Sequence, residues 1–367
     1  MNKETKFLTQ EHLDKPKLLK VLKDKYKFIE DSDDKKILKN IINNFDNKDF
    51  SLLFPQEIKF LNNHSSDIWD KYLIFRYRLH IFPEKQIVYD FPIYLLIEPV
   101  SACNLRCVMC FQIDDSFSSS KNFMGKMEFS LFKKIIDDAY NGGTKAITMA
   151  SRGEPTLHPQ LGEMLEYCKG KFFELKMNTN GTLLTDKLIH QILQSGVTEM
   201  VFSVDSYSKK EYESIRVKGI FETVLNNIKK FKEIREKFYP NSSCATRVSG
   251  VKINDTQDPK MFRKFWQNYV DNVVMVEMQY KWDTYSNPKE NMSNGPCDIL
   301  WERMYIWYDG ICNPCDIDYK SELAVGSIKE NNIYDIWHGG KYTQYRSAHK
   351  NGNRQMLYPC DRCSVGS

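Results

Sequence analysis

From Phe91 to about residue 286 the sequence repeats one pattern: a short apolar run of β propensity, a polar loop, then an amphipathic helical stretch. The strand-like runs are "PIYLLIEPV", "KAITMASRGEPT", "FELKMNTNGTLL", "EMVFSVDS", "ATRVSGVKIN" and "VVMVEMQYK". Between them, "SLFKKIIDDAYNGG", "LGEMLEYCKG", "DKLIHQILQSG", "GIFETVLNNIKKFKEIREKF" and "MFRKFWQNYV" read as helices. Strands separated in this way by helices must pair in parallel through βαβ crossovers, so the expected fold class is α/β, a closed or partly closed βα barrel. In such a fold, chemistry collects at the C-terminal ends of the strands.

The loop after the first run carries "EPVSACNLRCVMCFQ", with Cys103, Cys107 and Cys110 spaced C-x3-C-x2-C. Three thiolates on one loop can hold three irons of a cubane cluster and leave the fourth iron open. A zinc knuckle completed by a distant ligand is the alternative. The N-terminal text has no apolar core of the kind a secretory signal needs, and no window approaches the roughly 18 apolar residues that span a bilayer. A cytoplasmic, reducing location is therefore expected, where clustered thiols serve as metal ligands or catalytic groups rather than disulfides. The net charge of +4 comes from 52 basic and 48 acidic residues of mixed sign, which calls for neither a nucleic-acid nor a membrane partner.

Residues 1–90 are polar with apolar side chains at helical spacing, a helical extension without visible chemistry. Residues 91–286 form the barrel-like part, and 287–367 a third region. That region opens in the linker-like "SNPKENMSNGP" and has a hairpin signal in "MYIWYDGICNPCDID". It holds Cys297, Cys312, Cys315, Cys360 and Cys363. One closed cluster takes four thiolates, so one of the five is spare; a four-cysteine zinc site is the other possibility.

"CNLRCVMC" resembles the signature of the radical S-adenosylmethionine enzymes. That resemblance implies a partial (β/α)6 barrel and a four-iron four-sulfur cluster on Cys103, Cys107 and Cys110, whose open iron binds S-adenosylmethionine. It also implies that Met109 packs near the adenine, where the family more often has an aromatic residue. "SRGEPTLHP" resembles the Gly-Glu-Pro motif, which places Gly153 and Glu154 at the methionine ammonium; "NTNG" makes Asn178 and Asn180 ribose contacts. "FSVDS" resembles the fifth strand and offers Ser203 as a polar contact, and "YESIR" resembles the segment whose arginine, here Arg216, pairs with the methionine carboxylate.

The tail resembles the SPASM extension or its shorter twitch form. On that pattern Cys297, Cys315, Cys360 and Cys363 hold one auxiliary four-iron four-sulfur cluster, and Cys312 takes the place of an apolar strand residue.

The implied activity is reductive cleavage of S-adenosylmethionine to a 5'-deoxyadenosyl radical that abstracts a substrate hydrogen atom. An oxidoreductase (dehydrogenase) or epimerase outcome is expected on a carbohydrate-like or aminocyclitol-like small molecule. A peptide substrate is the alternative, and an electron carrier or zinc scaffold the reading from another class. A flavodoxin- or ferredoxin-type protein would supply the electron. Cys244 and Cys312 are candidate hydrogen-atom donors, with inert packed thiols as the plainer reading. Trp301, Tyr305, Trp307 and Tyr308 are either sugar-stacking rings or strand-face core.

Overall fold

The computed structural model describes residues 13–278, 284–286 and 295–364. Most of the linker-like stretch, 287–294, lies outside the described residues, as does the extreme N-terminus. The chain divides into two compact units, Met1–Val88 and Tyr89–Ser367. The first is helical, with helices Lys15–Tyr26, Ser32–Asp46, Pro55–Asn63 and Trp69–Glu84. Asp14 and Asp31 cap the first two by accepting bonds from backbone N–H groups of the first turn. Leu18, Leu22, Leu38, Ile41 and Leu61 are fully buried there, and Arg76 pairs with Glu57 at 2.6 Å.

The second unit holds every strand among the described residues. In chain order these are β1 (Tyr94–Ile97), β2 (Arg106–Cys107), β3 (Ala146–Met149), β4 (Glu174–Thr179), β5 (Glu199–Ser203) and β6 (Arg216–Val217). Then follow β7 (Ala245–Lys252), β8 (Asn272–Glu277), β9 (Arg303–Ile306), β10 (Ile311–Asn313) and β11 (Gly326–Ser327). The main sheet has nine strands in the order β11-β10-β9-β1-β3-β4-β5-β7-β8, and β2 pairs only with β6. All six strand-like runs of residues 91–281 supply parallel strands (β1, β3, β4, β5, β7, β8), and the five helical stretches become crossovers on one face. Among the described residues the sheet is open, a partial barrel without closure.

The tail enters in a way its sequence did not announce. β9 lies parallel to β1, opposite Tyr94–Ile97, so the first strand of the barrel is hydrogen-bonded on both edges. β10 returns antiparallel through a turn at Asp309 and Gly310, where a φ of 88° suits glycine. The residues that follow the linker thus extend the barrel sheet.

Alternation along the strands separates two environments. Leu95, Ile97, Ile147, Met149, Leu175, Met177, Met200, Phe202, Val248 and Ile306 belong to one buried cluster packed against the helices. The opposite face of the same strands mixes apolar side chains such as Leu96, Ala146 and Val201 with charged and polar ones. Lys176 pairs with Glu174 at 3.1 Å and Glu199 at 3.5 Å, and Arg247 with Glu199 at 3.4 Å. One level further toward the C-terminal strand ends come Asn178, then Ser203 beside Ser249. The concave face therefore also carries charge at its floor and amide and hydroxyl groups above it.

Candidate active site

The three-cysteine loop lies at the C-terminal end of β1, and the β2–β6 ladder pins it. Cys107 sits opposite Arg216, and the Val108 N–H donates to the Ile215 carbonyl at 3.0 Å. Two further bonds close the loop: Cys110 N–H to the Cys107 carbonyl at 3.0 Å, and Leu105 N–H to Cys103 Sγ at 3.4 Å. Cys107 is buried, while Cys103, Met109 and Cys110 are half-buried. Burial pushes the Cys103 thiol up to about 11 and the Cys110 thiol up to about 12. The Arg216 guanidinium opposes that rise, and a bound cation would favour the thiolates further, the donor form an iron-sulfur cluster requires.

The loops after β3, β4 and β5 converge on this one. Gly153 is pressed against the cysteine segment so closely that a Cβ would stand 2.1 Å from the Val100 carbonyl oxygen. The next N–H, of Glu154, donates to the Ala102 carbonyl at 2.9 Å. The Glu154 carboxylate accepts from Thr156 Oγ1 and Thr179 Oγ1, both at 2.6 Å, and from the Asn180 N–H at 2.7 Å. Burial pushes its pKa up, and these bonds oppose the rise. Asn180 Nδ2 donates to Asn104 at 2.8 Å and lies 3.9 Å from Cys103 Sγ. Arg216 donates from Nε to Asp205 at 2.7 Å. Burial disfavours its charge, but the Asp205 carboxylate overrides this and holds the guanidinium firmly protonated.

Gly153, Glu154, Asn180 and Arg216 thus meet the cysteine loop at one rim, with Asn178 and Ser203 just below them on the concave face. Cys244 and Cys312 are elsewhere. Cys244 precedes the first residue of β7, at the opposite end of the sheet from the rim, and its side chain is in the helix-facing core. Cys244, a candidate hydrogen-atom donor by residue type, thus stands where the strand begins rather than where it ends. Cys312 is opposite Ile306 on β9 and shares its helix-facing side, fully buried, with Sγ 3.8 Å from the Gly310 carbonyl.

Several residues at the rim escaped the sequence reading. Asp205 anchors Arg216 and also accepts the Val251 N–H at 2.8 Å. Gln112 bridges the Ser101 and Arg152 carbonyls at 2.8 and 2.6 Å. Glu98, fully buried at the end of β1, takes Arg152 in a two-pronged grip of 2.6 and 2.7 Å. Arg152 also donates to the Tyr319 carbonyl at 2.9 Å and stacks over Trp307 at 4.1 Å. These residues lie inside the quoted stretches "EPVSAC", "CFQ", "SRGEP" and "FSVDS", but only the fold reveals the pairing. Trp301, Tyr305 and Trp307 are buried, and Tyr308 covers Gly125.

In the tail, Cys297, Cys315, Cys360 and Cys363 line one small cavity of about 30 Å³ with Ile299, Leu300, Pro314, Ile317, Leu323, Tyr345, His349 and Arg354. Cys312 is not among them. Among the described residues, no three Cys, His, Asp or Glu side chains draw close enough to hold a single ion. Thiols spread around a cavity suit a multi-atom cluster better than a lone zinc.

Residues 97–258 match the radical SAM superfamily, and 297–364 match SPASM, an iron-sulfur cluster-binding domain. The chain belongs to the radical SAM superfamily and carries a C-terminal SPASM domain. The first domain binds S-adenosylmethionine and a four-iron four-sulfur cluster, and the second implies auxiliary iron-sulfur binding. The chain is 28% identical over 319 residues to the tungsten-containing aldehyde ferredoxin oxidoreductase cofactor-modifying protein of Pyrococcus furiosus, covering 74% of this chain and 87% of that one. It is 23% identical to the antilisterial bacteriocin subtilosin biosynthesis protein AlbA of Bacillus subtilis, covering 68% of this chain and 60% of that one. The structure of Streptococcus suis SuiB bound to S-adenosylmethionine shares the fold, with a TM-score of 0.56 and 16% identity over 92% of this chain and 88% of that one. Among the described residues, no helix is long and apolar enough to cross a membrane.

Proposed function

We propose that this radical SAM enzyme oxidises a small polar molecule, carbohydrate-like or aminocyclitol-like, held on the concave face of the open barrel. The observation that carries the reading is the lining of that face. Lys176, Glu199 and Arg247 at its floor, and Ser249 above, offer donors and acceptors that a polyhydroxylated or amino-bearing molecule needs. Bound at the rim, the reduced cluster with S-adenosylmethionine supplies a carbon radical able to take a hydrogen atom from an unactivated C–H bond.

In this reading Cys103, Cys107 and Cys110 ligate three irons. Arg216, held by Asp205, faces the methionine carboxylate. Gly153 and Glu154 receive the ammonium, and Asn178, Asn180 and Met109 position the nucleoside. Cys297, Cys315, Cys360 and Cys363 would hold an auxiliary cluster, whose chemistry would be one-electron acceptance during substrate oxidation. The oxidative outcome is supported over epimerisation by the placement of Cys244 and Cys312 on the helix-facing side, away from any molecule on the concave face. A peptide substrate is the second reading. Its support is the relative named for subtilosin biosynthesis and the solved complex of SuiB with the precursor peptide SuiA. The Pyrococcus relative, by contrast, is named for modifying a cofactor.

The test is anaerobic reconstitution, then reductant and S-adenosylmethionine with ring-deuterated polyols and aminocyclitols. Deuterium carried into 5'-deoxyadenosine supports the proposal, and transfer from peptides alone refutes the small-molecule reading. About eight bound irons with no 5'-deoxyadenosine above background would refute the enzyme reading as a whole.

A further inference from the structure

The cavity in the tail has one polar wall that the four cysteines do not account for. His349 lies near the end of helix Gly340–Lys350 and is 3% exposed. The Cys297 N–H donates to its Nδ1 at 3.1 Å. A ring nitrogen that accepts an N–H carries a lone pair, so the hydrogen of the neutral ring is on Nε2. That Nε2–H is buried, has no protein partner, and belongs to a side chain in the cavity wall. A buried donor left unmade costs about 1–3 kcal/mol, so its presence in an otherwise largely apolar wall calls for an acceptor inside the cavity. Beside it, Arg354 is 3% exposed and donates to the carbonyls of Gly295 and Cys363, both at 3.3 Å, which brings a fixed positive charge to the same wall.

We infer that His349 donates a hydrogen bond from Nε2 to a sulfur of the auxiliary cluster, and that with the Arg354 charge it raises the cluster's reduction potential. The inference rests on the proposed ligand set of Cys297, Cys315, Cys360 and Cys363. Its physical basis is general: reduction adds negative charge to the cluster, and a donor or cation at its sulfurs stabilises the reduced form more than the oxidised one. A raised potential is what an acceptor of substrate electrons needs. His349 is on this view a positioning and tuning residue that never touches substrate.

The experiment uses the full chain with Cys103, Cys107 and Cys110 changed to Ala, so that the auxiliary cluster is the sole paramagnet, and with histidine labelled with nitrogen-15. Seven histidines are present, and among the described residues His349 alone lines the cavity. Pulsed EPR of the reduced protein is expected to show a weak nitrogen-15 coupling that disappears in His349→Leu. At a fixed ambient potential, His349→Leu should show a reduced-to-oxidised ratio about tenfold lower, and His349→Gln, which keeps an N–H donor, should recover part of it. An auxiliary signal without nitrogen-15 coupling, or a ratio unchanged in His349→Leu with iron retained, overturns the inference. A protein that binds no iron in this background instead overturns the four-cysteine ligand set on which it rests.

Discussion

The two groups of cysteines share a chemistry and differ in their surroundings. Cys103, Cys107 and Cys110 sit on a loop at the end of β1, against a rim of Asn180, Glu154 and the Arg216–Asp205 pair, above the concave face. Cys297, Cys315, Cys360 and Cys363 line a small cavity whose other walls are mostly aliphatic and aromatic side chains. Polar groups beside an incomplete ligand set suit a site that binds and transforms a molecule. Apolar walls around a complete set suit one that only exchanges electrons. The two are joined through β1, which pairs with β3 on one edge and β9 on the other, and through the Glu98–Arg152 pair reaching Tyr308, Trp307 and Tyr319.

The sharpest break is expected in Cys107→Ala, which should reduce 5'-deoxyadenosine formation to background while leaving about four auxiliary irons bound, as iron analysis would show. Cys315→Ala should do the converse: S-adenosylmethionine cleavage stays within about tenfold, but no oxidised product forms, so chromatography of nucleoside against product separates the two sites. Loss of both activities together in Cys315→Ala would mean that the tail supports the rim rather than serving as an electron acceptor.

The connection between the sites is tested by stability. Arg152→Gln leaves the Glu98 carboxylate buried without its partner and should cost about 3–5 kcal/mol in denaturant unfolding. A second link joins Asp114, just past Cys110, to Lys320 at 2.7 Å and to Tyr319 Oη at 2.8 Å. Burial alone would raise the Asp114 pKa, but Lys320, Ser116 and Tyr319 outweigh it and hold the carboxyl down at about 2. Because the folded value lies below the unfolded one, this stabilisation is present at neutral pH and lost as pH falls from about 4 toward 2. Asp114→Asn should therefore cost about 1–2 kcal/mol at pH 7 and flatten that part of the stability profile. The smallest effects belong to Cys244→Ala and Cys312→Ala, with turnover within about twofold and stability lower by about 1 kcal/mol each. Loss of product in either variant would restore the thiol as a hydrogen donor.

Much of this was legible in the residues because strand periodicity, helix periodicity and cysteine spacing are local properties. Six parallel strands and the cysteine loop after the first follow from short-range pattern, whereas the separation of Cys312 from the other tail cysteines was implied by the resemblance to the SPASM extension. The structure alone decided what depends on contacts between distant segments. β9 beside β1, Asp205 under Arg216, Arg152 gripping Glu98 and His349 facing the four-cysteine cavity each join residues between 11 and 209 positions apart, and no local pattern encodes which segments meet. The thiols of Cys244 and Cys312 show the same division. Their residue type suited a hydrogen donor, but the side of the sheet to which each thiol points follows from strand direction and register, which only tertiary pairing sets.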